Sequence, residues 1–125
     1  MNLDFPPNFT ISIKTLKKAT TSSIGTVNLW DNDNNAIGFG SYDHTSNNYS
    51  MSYYNGSKWS IVQSETLNLN TEYLWEYSYE NGLSTCKVND KSFTLSRTHY
   101  PTKISVDDNV AQINIIFKDL IIKPL

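Results

Sequence analysis

Hydrophobic and polar positions alternate along much of this chain, most regularly between Glu72 and Glu80. There Tyr73, Trp75, Tyr77 and Tyr79 fall on one side, and Glu72, Leu74, Glu76, Ser78 and Glu80 on the other. A period of two with aromatics on one face predicts a half-buried strand. Asn81-Gly82 follows, and both residues tolerate positive φ, so a two-residue hairpin turn is expected. That turn sets Trp75 opposite Val88, Tyr77 opposite Cys86 and Tyr79 opposite Ser84. A second turn begins at Asn89-Asp90. With a four-residue loop from Asn89 to Ser92, Val88 opposes Phe93 and Cys86 opposes Leu95. The resulting three-strand meander is expected at the centre of a sheet.

The same pattern recurs along the chain. Phe9, Ile11 and Ile13 alternate with Thr10, Ser12 and Lys14 as a first strand, and Lys17 to Gly25 reads as a polar loop. Val27 and Leu29 face inward on the next strand, with Asn28 and Trp30 outward. Asp31 to Asn35 forms a five-residue turn, which pairs Leu29 with Ile37, Val27 with Phe39, Asn28 with Gly38 and Trp30 with Ala36. Gly40 and Tyr42 continue the outward face. Tyr49, Met51 and Tyr53 alternate next. A three-residue turn at Asn55-Gly56-Ser57, with a bulge, opposes Tyr53 with Trp59 and Met51 with Ile61. It places Trp59 in the core and leaves Ser50, Ser52, Tyr54, Lys58, Ser60 and Val62 outside. Ile104 and Val106 precede a turn at Asp107 to Asn109. Ile113, Ile115 and Phe117 then share a face, while Leu120 and Ile122 fall out of phase, so a bulge or break is expected near Lys118-Asp119. The expected core is Trp75, Tyr77, Cys86, Val88, Phe93, Ile113, Ile115 and Phe117. About ten short strands and no helix predict an all-β, two-sheet antiparallel sandwich.

Composition narrows the functional classes. A length of 125 residues fits one domain spanning 1–125, with residues 1–8 as an extended lead-in. A formal charge of −2 provides no basic field, so a nucleic-acid partner is not expected. The single cysteine, Cys86, excludes an internal disulfide and a thiolate zinc cluster, and its place on the apolar face reads as a small buried hydrophobe. MNLDFPPN lacks the basic and apolar regions of a signal peptide, and no apolar run is long enough for membrane insertion.

With the strands in place, TEYLWEYSYENG followed by KVND and an apolar strand resembles the strand, hairpin and short-turn pattern of concanavalin A-like jelly rolls. That group includes laminin G-like domains and many bacterial carbohydrate-binding modules. The closing INIIFKDLIIKPL is similar to their last strand, which pairs near the first, and FTISIKTL fits that partner. Asp90 departs from the glycine usual in that turn. The resemblance implies a concanavalin A-like jelly-roll sandwich that binds glycans or protein ligands, with no fixed set of site residues to transfer. Laminarinase-like hydrolases of this fold carry Glu-x-Asp-x-Glu, and Glu76 to Glu80 keeps only the outer carboxylates. Four residues along a strand separate those by about 13 Å, against roughly 5 Å for a retaining pair. No catalytic residue is therefore assigned, and His44 and His99 read as surface histidines.

Asp31 to Asn35 has the D-x-D-x-N spacing of a calcium loop, and Asp107 and Asp108 are the other carboxylate cluster. However, Ala36 and Tyr42 stand where such a loop needs glycine and a bidentate glutamate. The turn is read as Asx chemistry without a cofactor, with calcium as the alternative. Sugar rings stack an apolar face on aromatics while planar polar groups hold their hydroxyls. The candidate ligand-binding residues are Asn28, Trp30, Asp31, Asn32, Asp33, Tyr42 and Tyr54, with strand glycines Gly38 and Gly40 leaving a shallow trough beside Trp30. The expected function is a non-catalytic carbohydrate-binding module recognising a glycan or polysaccharide at an extracellular or virion surface, within a phage tail, adhesin or secreted enzyme. The alternative is a structural or protein-interaction sandwich of a larger assembly.

Overall fold

In the computed structural model of this protein the described residues are 7–17, 25–42, 48–66, 68, 70–88, 90–108 and 115–125. They form ten strands: β1 Phe9–Lys17, β2 Gly25–Trp30, β3 Ala36–Tyr42, β4 Asn48–Tyr54, β5 Trp59–Thr66, β6 Glu72–Glu80, β7 Leu83–Val88, β8 Lys91–Thr94, β9 Lys103–Asp108 and β10 Ile115–Pro124. Two five-stranded antiparallel sheets result, one ordered β10-β1-β6-β7-β8 and the other β5-β4-β3-β2-β9. The expected jelly-roll sandwich is therefore present, and the first strand pairs with the last. Among the described residues no helix is long and apolar enough to cross a membrane.

The aromatic alternation of β6 drives the packing. Tyr73, Trp75, Tyr77 and Tyr79 are buried, while Glu72, Leu74, Glu76 and Glu80 face solvent. Asn81 and Gly82 adopt φ of 52° and 82°, and the hairpin pairs Trp75 with Val88, Tyr77 with Cys86 and Tyr79 with Ser84, as the turn chemistry requires. From the facing sheet, Phe39 stacks on Tyr77 at 5.7 Å and tilts against Trp75 at 6.3 Å. Phe9, Ile11, Ile13, Val27, Leu29, Ile37 and Met51 complete the layer between the sheets. Polar groups inside it are paired with one another: the Trp75 indole donates to Thr15 Oγ1 at 3.0 Å, and the Tyr77 and Ser84 hydroxyls share a 2.6 Å bond. Phe117 and Ile122 pack against the core from the edge strand β10. Ile113 lies outside the described residues, as does His44.

Bulges and loop lengths account for the departures from simple alternation. β7 and β8 are joined by a two-residue turn, so Cys86 opposes Phe93 and Val88 opposes Lys91. The four-residue loop expected there is incorrect, although a slip of two residues keeps Phe93 inward. β8 is consequently an edge strand, and the meander runs from the sheet's centre to its margin. In β10 the register shifts opposite Ser12 to Lys14, with Asp119 at φ 57°, which is the expected irregularity that brings Phe117 and Ile122 into phase with the core.

The largest correction concerns β4 and β5. The turn holds four residues, Asn55 to Lys58, because Asn55 Oδ1 accepts from the Ser57 and Lys58 amides while Gly56 takes φ 95°. Tyr54 therefore opposes Trp59, and Tyr53 opposes Ser60. Trp59 is not core; it is 45% exposed on the outward face. A bulge occurs further from the turn than expected, between Met51 and Ser52, and it turns Val62 inward against the core. His99 is likewise not a surface residue: only 2% exposed, it donates from Nε2 to the Leu29 carbonyl at 2.9 Å.

Candidate functional site

The hairpins β2-β3 and β4-β5 lie side by side in one sheet, and their last cross-strand pairs before the turns form one row. Trp30 pairs with Ala36, Ala36 with Tyr54, and Tyr54 with Trp59. All four occupy the face turned away from the core. Trp30 and Tyr54 meet edge to face across Ala36, with centroids 6.1 Å apart, and Tyr54 and Trp59 lie 5.2 Å apart at 36°. Ala36 is fully buried beneath them, so the small residue lets the two rings close over it. Three aromatics thus run continuously across the sheet.

Polar groups hold the ends of this row. The Trp30 indole donates to Ser105 Oγ at 3.0 Å, and Lys103 Nζ lies 5.4 Å from the Trp30 ring, a cation–π contact from the neighbouring strand β9. The Tyr54 hydroxyl donates to the Gly56 carbonyl at 3.1 Å. Along one side the row is rimmed by the two turns, which come close: Asn35 Oδ1 lies 3.8 Å from where a Cβ on Gly56 would sit.

The Asp31 to Asn35 turn is built by its own carboxylate. Asp31 Oδ1 accepts from the Asp33 and Asn35 amides at 2.8 and 2.9 Å, and Oδ2 from the Asn35 side chain at 3.0 Å. Partial burial alone would raise the Asp31 carboxyl, but these donors outweigh it and hold it below the usual carboxylate range. The Asx reading of this stretch is thus realised in bonds. Asn32 Oδ1 accepts from the Thr102 hydroxyl at 3.1 Å, while Asn32 and Asp33 are both exposed on the rim. Beneath the turn, His99 Nδ1 faces Asp31 Oδ2 at 3.7 Å. Burial lowers His99 below the ordinary imidazole value, against the opposing pull of the Leu29 carbonyl and Asp31. Its neutral form then has the proton on Nε2.

The sequence-derived candidates therefore divide. Trp30, Asp31, Asn32, Asp33 and Tyr54 come together at one end of the sheet. Asn28, opposite Gly38 in the next row, is only 4% exposed, and Gly38 and Ser52 beside it are also buried. The expected open trough is closed there, and Asn28 is part of the floor. The ladder slips by one residue between Phe39 and Ser41, so Tyr42 pairs with Tyr49, and the side chain of Tyr42 lies outside the described residues. Trp59, a stacking candidate that the expected register set in the core, joins Trp30 and Tyr54 on the outward face. Its signal was Asn55, whose side chain closes a four-residue turn. Among the described residues no group of three His, Cys, Asp or Glu side chains is placed to hold a metal ion.

No protein-family model matches this sequence, and no protein of curated function does. Solved structures do. The Caenorhabditis elegans galectin LEC-6 superposes with a TM-score of 0.65 at 14% identity, covering 98% of this chain and 93% of its own. A toad ovary galectin, solved as a complex with thio-digalactose, gives 0.64 at 17% identity over 98% and 94%. The carbohydrate-binding module CBM66 from Bacillus subtilis gives 0.63 at 12% identity over 94% and 76%. At these identities the likeness is one of fold, and this chain has the concanavalin A-like jelly-roll fold shared by galectins and CBM66.

Proposed function

We propose that this protein is a non-catalytic carbohydrate-binding module, and that a neutral or weakly charged glycan lies along Trp30, Tyr54 and Trp59. The observation that carries the reading is the outward aromatic row, with Trp59 45% exposed at its end. An indole left in water on a sheet face contributes little to folding, whereas it offers a sugar ring an apolar plane. Asn32 and Asp33 on the turn rim provide acceptors and an amide donor for hydroxyls. Asn28 and Asp31 act from below by fixing the floor and the turn. The fold neighbours, galectins and a carbohydrate-binding module, support the same class. On this reading the chain works where glycans are displayed, at a cell or virion surface or on a polysaccharide.

A second reading, a protein-interaction sandwich, draws on the edge strand β10, where Leu120 and Ile121 are exposed. An array of neutral oligosaccharides probed with the parent and with Trp59→Ala separates the two. The glycan reading expects parent binding to at least one class and a loss of about tenfold or more in the variant, since a central aromatic contact contributes on the order of 2 kcal/mol. Binding to none of the array by the parent would leave the interaction reading in its place.

A further inference from the structure

The two sheets part at one edge, where β5 and β8 face each other, and a cavity of about 300 Å³ opens between them. Its polar wall is Asn55, Ser60, Ser96 and Arg97, and Val62 and Leu95 supply apolar surface. Among the described residues its lining contains one cation and no carboxylate. The Arg97 guanidinium carbon sits 4.5 Å from the centroid of Tyr53, another lining residue, so the ring fixes the long side chain in place. Among the described residues no carboxylate pairs with Arg97, and the Ser60 and Ser96 hydroxyls have no hydrogen-bond partner. Asn55 spends its side-chain oxygen on the turn, which leaves the amide nitrogen to donate. Donors and a planar cation held by a ring therefore line a half-open cleft at the small end of the range for ligand sites.

We propose that this cavity is a second binding site, for a carboxylate-bearing sugar ring of the uronic-acid type. The guanidinium fork matches a carboxylate with two parallel N–H···O bonds. Ser60, Ser96 and Asn55 reach ring hydroxyls, and Val62 and Leu95 meet the C–H face. The volume admits one six-membered ring. This site is separate from the aromatic row: Tyr53 and Ser60 pair on the inward side of the same hairpin whose Tyr54 and Trp59 pair outward.

The test is a titration of the full chain with glucuronic acid, followed by backbone amide chemical shifts, with methyl glucoside and inorganic sulfate as controls. Saturable shifts at Ser60, Ser96 and Arg97 are expected with glucuronate and not with methyl glucoside, and they should persist in Trp59→Ala. Arg97→Gln should weaken binding about tenfold or more, since a charge-assisted bond is lost, and Arg97→Lys should fall between. Arg97 is exposed and its Tyr53 contact is the only loss expected, so these variants should melt within a few degrees of the parent. Equal binding of methyl glucoside or of sulfate overturns the assignment. So does an absence of shifts at these amides, full affinity in Arg97→Gln, or loss of the glucuronate shifts in Trp59→Ala.

Discussion

The two tryptophans at the ends of the aromatic row should respond differently to truncation. In Trp30→Ala three contacts disappear: the indole hydrogen bond to Ser105, the edge contact with Tyr54, and the approach of Lys103 to the ring. These contribute about 1 kcal/mol for the hydrogen bond, about 0.5–1.5 for the aromatic pair and about 0.5–1 for the cation–π contact. Ala36 also loses part of its cover. The expected cost is about 2–3.5 kcal/mol, or roughly 6–18 °C in melting temperature for a domain of this size. Trp59 is nearly half exposed and has one ring contact, with Tyr54. Its truncation should cost less than about 1 kcal/mol. Calorimetric melting of both variants, with urea midpoints as a second measure, reads the difference. Equal melting temperatures for the two variants, or a Trp30→Ala that melts with the parent, would refute the division into a structural anchor and a ligand-facing ring. The same division makes Trp59 the cleaner probe of binding, because its loss leaves the fold in place.

Trp75→Ala removes the largest fully buried side chain among the described residues together with its bond to Thr15, and should cost about 3–5 kcal/mol; a melting temperature within a few degrees of the parent would contradict the organising role of β6. Stability should also depend on pH through His99. Its folded value lies below the unfolded one, so between the two the unfolded chain binds more protons, and stability present above about pH 6.5 falls as the pH drops. The urea midpoint should therefore fall from pH 7.5 to 5.5 in the parent and fall less in His99→Gln. Cys86 is buried, and burial pushes its thiol up, so Ellman's reagent should react with it in denaturant and not in buffer.

Where alternation ran unbroken between short turns, registers were legible from the residues alone. β2-β3 and β6-β7 pair as the apolar pattern and the turn residues jointly require. Where a turn could take two lengths the pattern was insufficient, because a slip of two in β7-β8 leaves every side chain on the same face. In β4-β5 the combination of a longer turn and a bulge was invisible to periodicity. The longer turn moved Trp59 from the expected core to the surface, the bulge beyond it turned Val62 inward, and the candidate site gained its most exposed ring. His99 lies in an aperiodic stretch, where burial comes from the neighbouring turn rather than from its own sequence. The Arg97 cavity depends on how the two sheets stack at their edge, which no single strand encodes.

The central claim, that a glycan lies on the outward aromatic row, is tested most directly by the three indole N–H signals of the three tryptophans. Trp30 and Trp59 belong to the row, whereas Trp75 is enclosed between the sheets and bonded to Thr15. Titration of the nitrogen-15-labelled chain with neutral gluco-, manno- and galacto-oligosaccharides should move the Trp59 and Trp30 indole signals saturably with at least one class and leave Trp75 in place. Three stationary indole signals through the whole panel, or a Trp75 signal that moves while Trp59 does not, would contradict it.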